Sequence, residues 1–411
     1  MNKKEMEILR KLGRQYAEII ASPVNDAKKK LWQSINDFKM ERPMVLIDQI
    51  PWHEMNVNDE LTLKTEDPFL RIIENNMRQT IYKWNHMRAD MVVDPYISIP
   101  RAIQNTGFGI KADEDISVSD EANDVVGHSY NNQLKTEEDI QKIKTPIINE
   151  DKKCSKEREE MAKLIFDGIV PVRMEGHVPS FALWDKLAKW IGPQNVLYEV
   201  IDRPEFIHAI MDHFTKVNLE MIDQLEAKGL LDPFIPYTHC SHNYTKDPLT
   251  KDFNPDMPKA KDCWTSGMAQ IFVSISPALH QEFEFNYVKK IYERFGAVYY
   301  GCCEPLHNRL DMIKEIPNVR KISCSPWCDI DIAAEKIGSD YVISNKPTPA
   351  NLATDRMQWD IIEDDIKHTM DAARRNNSPL EFILKDISTV RHEPQRLWEW
   401  EKRVMNLVKR W

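Results

Sequence analysis

Apolar positions follow two rhythms along this chain. From residue 2 to about 39 they recur at helical spacing, with Leu9, Leu12, Tyr16 and Ile20 on one stripe. Beyond that, short apolar runs alternate with helix-like stretches. The runs are Met44–Asp48, Met91–Tyr96, Ile169–Met174, Phe234–His239, Ala297–Cys303, Val319–Cys324, Tyr341–Asn345 and Phe382–Ile387. Their apolar character is continuous, as in strands of a parallel sheet buried on both faces. Between them Pro204–Lys228, Pro277–Phe295, Asp329–Ile337 and Gln358–Arg375 carry apolar stripes, and Ser276-Pro277 and Asp202-Arg203-Pro204 mark helix starts. This order predicts an α/β fold, a (β/α)8 TIM barrel spanning residues 41–411 behind a helical extension over 1–40. Two polar stretches, 100–150 and 241–262, follow expected strands. They are expected as insertions at the C-terminal mouth, where barrel enzymes carry the loops that cover substrate.

Composition narrows the possible functions. The formal net charge is −10 over 411 residues, and no basic footprint stands out. A nucleic-acid partner is therefore not expected. Nor is a membrane, since no apolar run approaches the ~20 residues a bilayer span needs. Met1 to Leu12 lacks the apolar core of a signal peptide and reads as a mature helix. The seven cysteines, odd in number and thinly spread, make no disulfide framework. They suit a cytoplasmic protein whose thiols stay free. The one dinucleotide-like fingerprint, Gly107-Phe108-Gly109-Ile110-Lys111-Ala112, follows a polar stretch where a strand is required, and is read as chance.

Chemistry in a barrel gathers at the C-terminal ends of strands. The densest group there is Tyr300-Gly301-Cys302-Cys303-Glu304-Pro305. Thiolates and carboxylates ligate zinc, so Cys302 and Cys303 are candidate metal ligands; otherwise both are small buried hydrophobes. Neighbours on a strand point to opposite faces, which would send one thiol toward the barrel axis and the other outward. Cys324, one βα unit further on, is the candidate third ligand, and Cys328 is read as a helix-start residue. His239-Cys240-Ser241-His242 is a second-choice ligand source. Candidates for proton transfer are Glu304 and His53, the latter in Trp52-His53-Glu54, with Lys346 as a cation near a leaving group. Candidates for substrate contact are Arg173, His177 and Asp386. Trp52, Trp264 and Trp327 lie near expected strand ends, where they would sandwich a flat ring or else belong to the core. Lys385-Asp386 and Arg391-His392-Glu393 read as salt-bridged closure of the barrel.

The stretch Trp264 to Ala350 resembles the C-terminal half of uroporphyrinogen decarboxylase-like proteins. Ser276 to Phe283, followed by Tyr287, is similar to the helix before that family's His/Cys strand, and Val342 to Leu352 resembles its Asn-x-Asp-Pro strand and turn. Looser similarity, including Arg203-Pro204-Glu205-Phe206 and Glu175-Gly176-His177, runs from about Arg42 to the end. The Tyr-Gly-Cys-Cys-Glu-Pro motif is similar to that of a large bacterial branch found mostly in anaerobes.

Two activities belong to that superfamily. The decarboxylases hold their porphyrinogen with an arginine-rich N-terminal loop, and Arg42-Pro43-Met44-Val45-Leu46-Ile47-Asp48 is nothing like it. The methyltransferases use zinc held by His-x-Cys and a distant Cys; here Tyr300 stands at the His position, and Cys302, Cys303 and Cys324 would replace the set. The resemblance therefore implies the zinc-dependent methyltransferase component of a corrinoid system. Such a protein moves a methyl group from a small methylated substrate, a methoxylated aromatic above all, to a corrinoid-binding partner protein. A decarboxylase-like lyase, or a non-catalytic tetrapyrrole- or corrinoid-binding protein, are the alternatives.

Overall fold

A computed structural model describes residues 3–118, 121 and 126–411. Helices Lys3–Ile20 and Pro23–Asn36 come first. The central parallel strands are β1 (Met44–Ile47), β2 (Ile97–Pro100), β3 (Val172–Glu175), β4 (Trp264–Gly267), β5 (Ala297–Tyr300), β6 (Val319–Cys324), β7 (Val342–Asn345) and β8 (Leu380–Leu384). Six of them make one sheet in the order β1-β8-β7-β6-β5-β4, and β2 pairs in parallel with β3. The pair meets the sheet at two seams. Phe181, just past β3, bridges Gly267 of β4, and the Asp90 N–H donates to the Val45 carbonyl of β1 at 2.9 Å. The strands thus follow a barrel's order, but among the described residues the ladder is interrupted at both seams.

Two expected strands fall elsewhere. Met91–Tyr96 is a loop, and the strand begins at Ile97. Asp90 explains the shift: its carboxylate accepts from the Val45 N–H and pairs with Arg42, tying the preceding chain to the start of β1. Phe234–His239 is not a barrel strand either; the position belongs to Trp264–Gly267, beyond the polar insertion. The insertion's first residues lie against the inward face of the strands instead. Ser241 accepts from Lys321 Nζ at 2.7 Å, and the His242 and Tyr244 carbonyls accept from Asn36 Nδ2 in the second helix. That helix covers the N-terminal ends of the strands, with Trp32 packed beside Met44 and Val342.

Side chains alternate cleanly on the two faces of the strands. Met44, Leu46, Tyr299, Val342 and Ile383 pack inward around Cys240. Val45, Ile47, Tyr300, Ile322, Cys324, Ile343 and Phe382 face the surrounding helices. The inward face also carries a charge pair. Lys321 and Glu381 meet at 2.6 Å, both essentially without exposure. Two ions leave water only where each finds close compensation. Here Lys321 also donates to Ser241 and to the His242 carbonyl. The ion pair therefore anchors this segment. No helix among the described residues is long and apolar enough to cross a membrane.

Candidate functional site

The chain leaves β5 at Tyr300 and turns at Gly301, whose φ of +94° is a conformation glycine adopts freely. A β-carbon there would strike the Leu306 side chain. This turn ends the strand's alternation, so Cys302 and Cys303 do not point to opposite faces as expected. Their sulfurs lie 3.4 Å apart. Cys302 is buried; Cys303 is half-buried.

Two residues after β8 complete the group. Lys385 Nζ donates to Cys302 Sγ at 3.1 Å and meets an Asp386 oxygen at 2.9 Å. The Cys303 sulfur lies 3.3 Å from that same carboxylate. From the chain leading into the insertion His239, at φ +57°, brings its ring to Cys302 and Cys240. Its Nε2 is buried without a well-formed hydrogen bond, so the sulfurs act on it through their charge. Burial alone would lower the His239 pKa, but Cys240 and Cys302 overcome it and raise it to about 9. In return the Cys303 thiol, then His239 and Lys385, hold Cys302 well below the ordinary thiol range against burial. Cys303 is pushed the other way by Cys302 and by burial, and keeps its proton. The result is one thiolate and one thiol in contact, flanked by two cations.

Glu304 closes the group from below. Its oxygens accept from the Cys302 N–H at 2.9 Å and the Ala269 N–H at 3.2 Å. Burial nonetheless raises its pKa to about 7, against those hydrogen bonds. Glu304, Cys303, Gln270, Val273, Pro305 and Trp327 line an apolar groove of about 490 Å³ in which Trp327 is 69% exposed. On the other side of His239 a cavity of about 210 Å³ is walled by Asp48, Lys83, Tyr237 and Cys240. A further cavity, about 530 Å³, lies away from the thiols near the N-terminal ends of the strands, against Lys29, Tyr96, Arg173 and Trp264.

Of the residues singled out in the sequence, the structure brings together Cys302, Cys303, Glu304, Asp386 and Trp327. Cys324 it places elsewhere: strand alternation turns it to the helices, with its sulfur against Cys328. The expected ligand set Cys302, Cys303 and Cys324 is therefore not assembled. The Lys385 ammonium also occupies one side of the Cys302 sulfur. Among the described residues no three His, Cys, Asp or Glu side chains are arranged to hold a metal ion. Zinc does not fit this set.

Other expected site residues are committed to structure. Lys346 Nζ is buried against the Tyr299 hydroxyl and Ser344 Oγ. Glu54 next to His53 accepts from Thr389, Val390 and His392, tying the β1 loop to the β8 loop, and Trp52 packs edge-on against Tyr82. Arg173 pairs with Asp232 between the rings of Tyr96 and Phe234, and buried Trp264 opens β4. His177, exposed past β3, bridges Leu231 through its backbone. Sequence reasoning ranked His239 second and read Lys385 as barrel closure, yet both face the thiolate. The signal for Lys385 was its place beside Asp386 at the end of the last strand.

No family model matches this chain, and no curated protein matches it. Among solved structures it is similar to a methyltransferase from Methanosarcina mazei. The identity is 10%, with 92% of this chain and 98% of that chain covered, at a TM-score of 0.48.

Proposed function

We propose that the protein is a methyltransferase that takes the methyl group of a small methylated substrate, an aryl methyl ether above all, and passes it to a corrinoid carried by a partner protein. The observation that carries this reading is the juxtaposition of a buried acid with a tuned sulfur at the edge of an apolar groove. Glu304 has a pKa of about 7 and borders the same groove as Cys303.

Cleaving an ether requires a nucleophile at the methyl carbon and a way to discharge the leaving oxygen. The corrinoid, when its carrier docks, supplies the nucleophile. The rest falls to this chain. The groove walls Val273, Pro305 and Trp327 take the flat ring and exclude water, and Trp327 offers an indole face for stacking. Glu304, half protonated near neutrality, gives its proton to the departing phenolate; an acid whose pKa lies near the working pH is best suited to that step. Lys385 and His239 place positive charge beside the sulfur, so a leaving anion enters a site already biased toward negative charge. No step passes through zinc. The lyase alternative needs a free cation to hold the substrate's carboxylate, whereas Arg173 is paired with Asp232 and Lys346 is bound to Tyr299 and Ser344.

The test mixes the purified protein with a reduced corrinoid protein and a panel of methoxylated aromatics and methylamines. The absorbance of the reduced corrinoid should give way to that of its methylated form as free phenol appears, and Glu304→Gln should slow the change. Release of CO2 from a carboxylated substrate, with no donor methylating the corrinoid, would establish the lyase instead.

A further inference from the structure

We infer that Cys302 and Cys303 form a reversible oxidation site, which a low-molecular-weight disulfide closes to a bond between the two adjacent cysteines. The inference does not depend on methyl transfer; it rests on how the two sulfurs are held. They lie 3.4 Å apart, already in contact, and a bond of about 2.05 Å forms when they close that remaining gap.

Their surroundings assign different tasks to the two sulfurs. Cys302 Sγ accepts an N–H from Lys385 at 3.1 Å, so it stands as the anion that attacks. Cys303 retains its proton and has Asp386 at 3.3 Å to receive it. Cys303 also borders the groove beside Val273, Pro305 and Trp327, through which a small reagent reaches the pair. Cys240, by contrast, is 1% exposed and lies against the Tyr299 hydroxyl.

The reaction balances in two exchanges. The Cys302 thiolate attacks one sulfur of the reagent, forming a mixed disulfide and expelling one thiolate. Cys303 then passes its proton through Asp386 to that thiolate and attacks the Cys302 sulfur, expelling the second. The thiolate–thiol pair has lost two electrons and one proton, and the reagent has become two thiols once solvent supplies the second proton. Cα atoms of adjacent residues lie about 3.8 Å apart across a trans peptide, below the ~4.4 Å at which disulfides normally begin. The closed form is therefore strained and readily reduced. While closed, it removes the sulfur charge facing Lys385 and His239 and switches off any chemistry that uses it.

The test exposes the full-length protein to oxidised glutathione, quenches with acid, alkylates, digests and weighs the peptide holding both cysteines. The expected peptide is lighter by two hydrogen atoms, carries no alkyl group, and returns to the dithiol with dithiothreitol. Cys303→Ser should stop at a glutathione adduct on Cys302, and Lys385→Met should slow the first exchange. A glutathione adduct persisting on Cys302 of the unaltered protein, or full alkylation of both thiols, overturns the inference. So does a bond confined to Cys324 and Cys328.

Discussion

Lys385 Nζ lies 3.1 Å from Cys302 Sγ, although the two residues are 83 positions apart and leave different strands. The contact holds a sulfur anion and an ammonium in a buried site, and each shifts the other. Cys302 is held below the ordinary thiol range by Cys303, His239 and Lys385, and Lys385 is raised against burial chiefly by Cys302.

Replacing Lys385 with Met should therefore return Cys302 toward ordinary thiol behaviour. The readout is the pH profile of Cys302 alkylation by iodoacetamide, followed by mass spectrometry. The midpoint should rise by ~1–2 pH units, the range over which a nearby opposite charge typically acts. An unchanged midpoint would show that Lys385 does not stabilise the thiolate.

Glu304 should impose two pH dependences. Methyl transfer should decline as pH rises through about 7, because the proton donor is lost, and Glu304→Gln should be slow at every pH. For stability, the folded pKa of about 7 exceeds the ordinary 4.5. The folded state thus holds more protons between these values. Its stabilisation is complete below pH 4.5 and disappears as pH rises through 7, on the order of 3 kcal/mol. Urea unfolding at pH 5 and pH 8 measures this difference, and Glu304→Gln should abolish most of it.

Lys321→Met should destabilise the fold by about 3–5 kcal/mol, because Glu381 is left as a buried charge without its counterion. Adding Glu381→Gln should recover part of the loss. Denaturant midpoints of the single and double variants test this. A single variant as stable as the parent would mean that the pair does not anchor the segment carrying His239.

Cys324→Ala should cost about 1 kcal/mol in packing against the helices and nothing at the site. The alkylation profile of Cys302 and the metal content by elemental analysis should match those of the unaltered protein. Loss of bound metal in this variant would restore Cys324 to the site.

The sequence by itself determined the class of fold and the neighbourhood of the chemistry. Runs such as Met44–Ile47 and Ala297–Tyr300 are apolar throughout because both faces are buried, and that is readable without coordinates. Likewise the motif around Cys302 stood out because thiols and a carboxylate at a strand end are rarely just packing. Strand identity was less legible where polar insertions intervene. Phe234–His239 has a strand's composition, but Lys321 and Asn36 hold the chain just beyond it against the inward face of the strands, and Trp264–Gly267 takes the place in the sheet. Only the tertiary structure decided which side chains share the site. Cys302 and Cys324 are one βα unit apart, and spacing alone suggested that they converge. Alternation along β6 sends Cys324 outward, whereas the turn at Gly301 brings Cys303 beside Cys302, and closure against β8 supplies Lys385. Pattern records what each residue needs from its surroundings; the direction each side chain takes is set by strand register and by turns that no local pattern encodes.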